Sequence, residues 1–376
     1  MTSGPKTPKN PPKPNLSKTS IDTFDRCQRR YALQYLYWSA PVSEEFKRVF
    51  RFQSKLMPHE ALAGQLVDDV ITAAIRRYVK LGEWPAPDRW MKAARSIHAE
   101  YLDKTKAVID AYRTGGPLPD HMDRNRPERK PLLRLFYDEP PTQQEEAEMW
   151  LHVEQCLSNF LESNVLGLLV EHPVETWKPP GINEVPWFTH KGIPIYSKYD
   201  FAIHGPGITW IFDWKTGKPG PWAERDARRQ LHTYALYAQS SWGADLASTK
   251  LSAVWLATGP ECLHEESVSD GVIAELEQIW QDRIVELRQR KRVVDSREKD
   301  LFEAFPTTGF PNECLRCPFR ACEMYAQAAT QADQVSVQAK VGDEAMSDGA
   351  DDAKPMAEGA SRPTTDPGGP PQEETQ

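Results

Sequence analysis

The sequence predicts an α/β sandwich in which helices flank a mixed sheet. Two observations lead there. Apolar residues recur at helical spacing up to about residue 166, alternate with period two between about 174 and 215, and return to helical spacing beyond 222. The resulting order of helices, three or four strands, helix, strand and helix suits neither an all-helical bundle nor an all-strand sandwich.

The elements justify this in turn. In Thr19 to Tyr35, Ser20 is placed to cap a helix carrying Phe24, Cys27, Tyr31 and Tyr35. A second helix, about 59 to 81, carries Leu62, Leu66, Val70, Ala74 and Tyr78 every four residues, widened by Val67 and Ile71, and stops near Gly82 and Pro85. Residues 90 to 113 read as helix, 114 to 131 as a loop with Arg124, Arg126, Arg129 and Lys130, and 142 to 166 as helix. Strands are expected at Val174 to Trp177, Trp187 to His190, Ile193 to Ile203 and Ile208 to Lys215, with Gly205-Pro206-Gly207 as a turn. A helix from about 222 to 241 puts Leu231, Tyr234, Ala235 and Ala238 on one face. Leu251 to Ala257 reads as a strand and 270 to 295 as a helix, and a cysteine-rich knot follows.

Charge divides the chain into three. Of the net −8, residues Asp333 to Gln376 carry −7, with ten acidic residues against Lys340, Lys354 and Arg362. The first eighteen residues hold four lysines, five prolines and no acid. We therefore expect a disordered basic tail at 1–18, one folded unit at 19–330 and a disordered acidic tail at 331–376. No apolar run approaches a membrane span, and Met1 to Asn15 is too polar and proline-rich for a secretory signal, so a cytoplasmic location is expected. No G-x4-G-K-[ST] phosphate loop is present.

The chemistry lies on neighbouring strands. Alternation sends Asp200 to the face opposite Ile193, Ile195, Tyr199, Phe201 and Ile203, and Asp213 and Lys215, two apart, share a face. If the strands pair through the tight turn, Asp200 faces Asp213. Two carboxylates and an ammonium suit a hard divalent ion and a phosphodiester substrate. By itself a D-x-K triplet is more often a solvated strand face. Lys215-Thr216-Gly217 lacks the S-x-x-K and S-D-N companions of a β-lactamase-type site.

Asp200, the turn, Asp213-Trp214-Lys215-Thr216-Gly217 and then Gln230 to Tyr234 together resemble the PD-(D/E)XK nucleases of the RecB type, over about residues 17 to 325. The resemblance implies a restriction-endonuclease-like core and a Mg2+- or Mn2+-dependent deoxyribonuclease, an exonuclease on DNA ends or single strands in recombination, repair or CRISPR and phage DNA processing. It implies Asp200, Asp213 and the Trp214 carbonyl as metal ligands, Lys215 as the residue assisting water, and Gln230 and Tyr234 as further active-site residues. The family's Gly-x3-His corresponds to Gly64-Gln65-Leu66-Val67-Asp68, which departs in placing aspartate at the ligand position. Periodicity does not choose Asp68 over Asp69; spacing from Gly64 favours Asp68. Glu175 occupies a position often filled by Glu in these nucleases.

Cys314, Cys317 and Cys322 form C-x2-C-x4-C, and three clustered thiols need a fourth ligand for zinc or an iron–sulfur cluster, which Cys27 supplies. The arrangement resembles the iron–sulfur subgroup that includes CRISPR-adaptation exonucleases and helicase–nuclease subunits, and implies a [4Fe-4S] staple, with zinc as the alternative. The last gap is one residue shorter than the usual x5. Cys156 and Cys262 are expected to be buried structural cysteines.

DNA is the expected partner, with a helicase, recombination or CRISPR protein as a further one. Local basic groups must carry the contact, since the middle of the chain is net −5. Candidates are Arg124 to Lys130, Arg228, Arg229, and Arg288 to Arg292, with Trp214 or Trp222 to stack bases. The alternative function is a non-catalytic DNA-binding subunit that retains the nuclease fold.

Overall fold

Helix α1 (Lys18–Arg26) begins at Ser17, whose hydroxyl accepts from the Ser20 N–H at 3.0 Å while Ser20 Oγ accepts from the Ser17 N–H at 2.8 Å. The cap is therefore Ser17, and Ser20 is the reciprocating third residue of a capping box. The helix does not run through to Tyr35. Cys27 is extended, with φ −160° and ψ 109°, and its sulfur caps a separate α2 (Gln28–Tyr35). The computed structural model describes residues 14–39, 43–116, 130–179, 186–307, 311–320 and 322. The expected tails, residue 18 and its nearest neighbours apart, and Arg124, Arg126 and Arg129 lie outside the described residues.

Helices α3 (Glu44–Gln53), α4 (Leu62–Leu81) and α5 (Pro87–Arg113) follow, then the short α6 (Leu133–Phe136), α7 (Gln143–Glu162) and α8 (Val165–Val170). The predicted stripe of α4 is buried from Leu62 to Ala74, with Tyr78 packed at its end. At about 1.5–3 kcal/mol for each buried aliphatic side chain, this face sets the helix more firmly than intrinsic propensity does.

The strands are β1 (Trp177–Lys178), β2 (Trp187–His190), β3 (Ile193–Tyr196), β4 (Phe201–Gly205), β5 (Ile208–Lys215), β6 (Thr249–Trp255) and β7 (Leu263–Ser267). Helix α9 (Pro221–Trp242) links β5 to β6, and α10 (Asp270–Asp295), α11 (Leu301–Ala304) and α12 (Pro311–Leu315) complete the described chain. The main sheet has the order β1-β4-β5-β6-β7, and β2 and β3 form a separate hairpin. Only β5 and β6 are parallel, so the sheet is mixed as expected. Its helix-flanked form fits a restriction-endonuclease-like core. The β4–β5 turn places Gly207 at φ +75°, where a side chain would be strained. No helix among the described residues is long and apolar enough to cross a membrane.

Two strand expectations change. Val174 to Thr176 is a tight 3-10 turn, leaving only Trp177 and Lys178 as strand. The single strand expected from Ile193 to Ile203 is two strands in two sheets. Its apolar residues serve different cores: Ile193 and Ile195 pack with Phe24, Tyr31 and Trp280, whereas Phe201 and Ile203 pack with Leu66, Val70 and Phe160. The backbone turns between them at Ser197 to Asp200. Strand β7 has a mostly exposed alternation and was not expected from the sequence.

The main sheet is a sandwich filling. Phe201, Trp210, Phe212 and Trp214 face α4 and α7, and Ala202, Ile211, Leu251 and Ala253 face α9 through Ala227, Leu231, Tyr234 and Ala235.

Candidate active site

Asp213 and Lys215 lie at the C-terminal end of β5 on the face turned to α9, as alternation predicts. The register Phe201↔Phe212, extended by one residue, sets Asp200 opposite Asp213. Asp200 has left the strand ladder, and its Oδ2 accepts the Trp214 N–H at 2.9 Å, which holds the carboxylate across the end of β5.

Helix α4 brings the third carboxylate. A Cβ built on Gly64 would stand 2.9 Å from Thr216 Oγ1, so the helix passes the β5–α9 loop at a distance only glycine allows without a shift. Asp68, one turn on, is close enough to act electrostatically on Asp200, Asp213 and Tyr234. Asp69 turns the other way and accepts from the Tyr101 hydroxyl at 3.3 Å. Gln65 Nε2 bridges the two aspartates at 3.3 and 3.1 Å. Asp68 thus lies on the side of Asp200 and Asp213, and Asp69 on the side of Tyr101.

Charge in this cluster is poorly compensated. Asp213 is 2% exposed, and its Oδ2 lies against the Lys215 ammonium as an ion pair without hydrogen-bond alignment. Burial raises the Asp213 pKa, with Lys215 acting against it. Asp200 is held well above the usual carboxylate range by burial first and then by Asp213 and Asp68. Lys215 also donates to Gln230 Oε1 at 2.8 Å, and Gln230 Nε2 donates to the Tyr234 hydroxyl. Burial, then Asp213 and Asp200, push the Tyr234 phenol up, so it stays protonated. Hard oxygen donors from three elements around uncompensated charge fit a Mg2+ or Mn2+ ion. Among the described residues no three His, Cys, Asp or Glu side chains form a closed ligand set, so the carboxylates are neighbours rather than a finished shell.

Other sequence candidates fall elsewhere. The Trp214 side chain is buried against Phe160 and Phe212, so it offers no stacking surface; only its backbone reaches the site. Trp222 is 75% exposed, with Arg225 4.2 Å over its ring. Glu175 is exposed on the 3-10 turn before β1. Arg228 and Arg229 pair with Glu266 and Glu275, Arg290 with Glu286, and Lys291 with Asp295. Sequence reasoning passed over Lys198, whose Nζ is 3.8 Å from Asp68 Oδ2, although its position two residues before Asp200 was a signal.

Cys27, between α1 and α2, and Cys314, Cys317 and Cys322 are half-buried free thiols, and among the described residues no three of them form a metal-ligand group. Cys314 is raised by burial first and then by Cys27, Cys322 and Glu313. Burial pushes Cys317 up to about 11, and Cys27 and Cys322 add to this. Arg26 and Arg30 pair with Glu313 at 3.3 and 3.8 Å, fastening α1 and α2 to α12. These thiols raise one another electrostatically, and a thiophilic metal, which favours thiolates, would relieve that. Cys156 and Cys262 are buried, as expected.

A family model described as the PD-(D/E)XK nuclease superfamily matches residues 15–322. No curated protein matches the chain.

Proposed function

The chain belongs to the PD-(D/E)XK nuclease superfamily, and on that footing we propose that it is a Mg2+- or Mn2+-dependent deoxyribonuclease, an exonuclease acting on DNA ends or single strands. Members of the superfamily are nucleases that typically use these ions. The observation that carries the reading is the meeting of Asp68, Asp200 and Asp213 from three separate elements beside Lys215.

Asp68, Asp200 and Asp213, with the Trp214 carbonyl, would hold the divalent ion. When bound, that ion lowers the pKa of water and neutralises charge developing on the phosphodiester. The chain's own residues do the rest. Gln230, itself held by Tyr234, fixes the Lys215 ammonium in place, and an N–H that Gln230 does not engage can orient the attacking water or stabilise a phosphoryl oxygen. Buried Asp213 keeps that ammonium aimed.

Cys27, Cys314, Cys317 and Cys322 are assigned to a [4Fe-4S] cluster, with zinc as the alternative, acting as a staple between the ends of the fold. Reduced thiols suit the cytoplasm, where we place the protein. Recombination, repair, or CRISPR or phage DNA processing is the setting proposed, alongside a helicase or recombination partner.

The test is digestion of end-labelled single- and double-stranded DNA with Mg2+ or Mn2+, with Lys215→Ala as control. Shortening of the labelled strand by wild type alone is expected. Equal inertness of both proteins would instead favour the non-catalytic DNA-binding subunit.

A further inference from the structure

Among the described residues, Lys18, Lys198 and Lys215 stand within electrostatic reach of the carboxylates, and they are differently employed. Lys215 is 22% exposed and committed to Asp213 and Gln230. Lys18, on the first turn of α1, is committed to Asp22 at 2.6 Å and Asp226 at 3.4 Å. Lys198 is different. Its side chain is 51% exposed, and its ion pair with Asp68 spans 3.8 Å, beyond hydrogen-bond range. An exposed pair of that length contributes little, so little is lost when the ammonium turns outward.

The backbone under Lys198 is nonetheless fixed. Upstream, the Leu16 segment pairs with β3 through Pro194 O and the Tyr196 N–H at 2.9 and 2.8 Å, and the Ser197 N–H donates to Pro186 O at 2.9 Å. Downstream, Tyr199 is buried among Tyr234, Tyr237 and Trp242, and Asp200 is tied to Trp214. A half-exposed cation is thus held on a rigid connection at the mouth of a carboxylate cluster that would repel a polyanion.

Resting on the nuclease reading, we propose that Lys198 is a substrate-binding residue that contacts a DNA phosphate beside the one being cleaved. Were Asp68 engaged with a divalent ion, the Lys198 ammonium would be left for the phosphate oxygens. The chain's net −8 supplies no general attraction for DNA, so a local cation at this point has a defined task.

The experiment is fluorescence anisotropy with a labelled single-stranded oligonucleotide in Ca2+ and in EDTA, across a salt series, for wild type, Lys198→Gln and Lys198→Arg. One lost phosphate contact should lower the slope of log affinity against log salt by about 0.7 and weaken binding roughly three- to tenfold, with Lys198→Arg close to wild type. In Mg2+ the Gln variant should show a raised KM with kcat within about twofold. An unchanged salt slope for Lys198→Gln in a protein that cleaves DNA overturns this proposal alone and leaves Lys198 as the counter-charge of Asp68. Wild type that binds DNA with the Lys198-dependent slope but never cleaves sinks the nuclease reading and leaves the contact standing. Failure to bind DNA at all overturns both.

Discussion

Replacing Gly64 by alanine tests the packing that brings α4 to the site. The new Cβ would lie 2.9 Å from Thr216 Oγ1, about half an ångström inside ordinary contact. Either Thr216 turns about χ1, at about 0.5–1.5 kcal/mol for an off-rotamer position, or α4 backs away by a similar distance and carries Asp68 with it. Against this, alanine gains up to about 1 kcal/mol of helix propensity over glycine. The two nearly cancel, so thermal unfolding should move by no more than about 2–4 °C. Activity should not cancel, because both routes displace a group beside Lys215 or Asp68. A shift of about 1 Å can cost about a hundredfold, and half of it should cost about tenfold. The assay is cleavage of end-labelled DNA by Gly64→Ala, by Thr216→Ala and by the double variant. On the Thr216→Ala background, where Oγ1 is gone, Gly64→Ala should cost less than about twofold. Wild-type cleavage by Gly64→Ala, or an undiminished loss in the double variant, would refute the reasoning.

Other outcomes follow from the same geometry. Both Lys215→Ala and Asp213→Asn should abolish cleavage, but in metal-free urea titrations the first should cost about 3–5 kcal/mol, because it strands a carboxylate that is 2% exposed, and the second much less, because Lys215 can reach water. Asp68→Asn should lose cleavage where Asp69→Asn keeps it within a few-fold and loses only about 1 kcal/mol, since the amide keeps one acceptor for the Tyr101 hydroxyl or Gln65 but not both; equal loss of activity would contradict the placement of Asp68. Cys314→Ala should empty the thiol site by metal analysis and lower the melting temperature by roughly 10 °C, a few kcal/mol in a domain of this size, and an unchanged melting temperature after metal loss would sink the staple. Glu277 accepts from Lys191 at 2.6 Å and interacts with His190 at 2.7 Å, which together hold its pKa below 4.5. Its contribution is therefore present above pH 4.5 and lost as pH falls through the lowered folded value, so Glu277→Gln should cost about 1 kcal/mol at pH 7 and almost nothing at low pH in denaturant titrations.

Much of the site was legible because its chemistry is local in sequence. Asp213 and Lys215 share a face through strand alternation, and Gln230 and Tyr234 share one through helical spacing. Both depend only on backbone periods, so the long helices, the α4 stripe and the pairing of β4 with β5 could be read directly. The break at Ser197 to Asp200 could not, because an apolar alternation records burial without recording which core receives each side chain. Nor could the helix break at Cys27, where a thiol caps the start of α2.

The sequence by itself determined the α/β class and the carboxylate–lysine pair on β5, because these rest on spacing along one element or one segment. Only the tertiary structure decided that Asp68 rather than Asp69 joins Asp200 and Asp213, that Trp214 turns its ring into the core, and that Lys198 stands at the mouth of the site. The physical reason is that each depends on how closely two distant segments approach, and that distance is set by packing, as Gly64 against Thr216 illustrates.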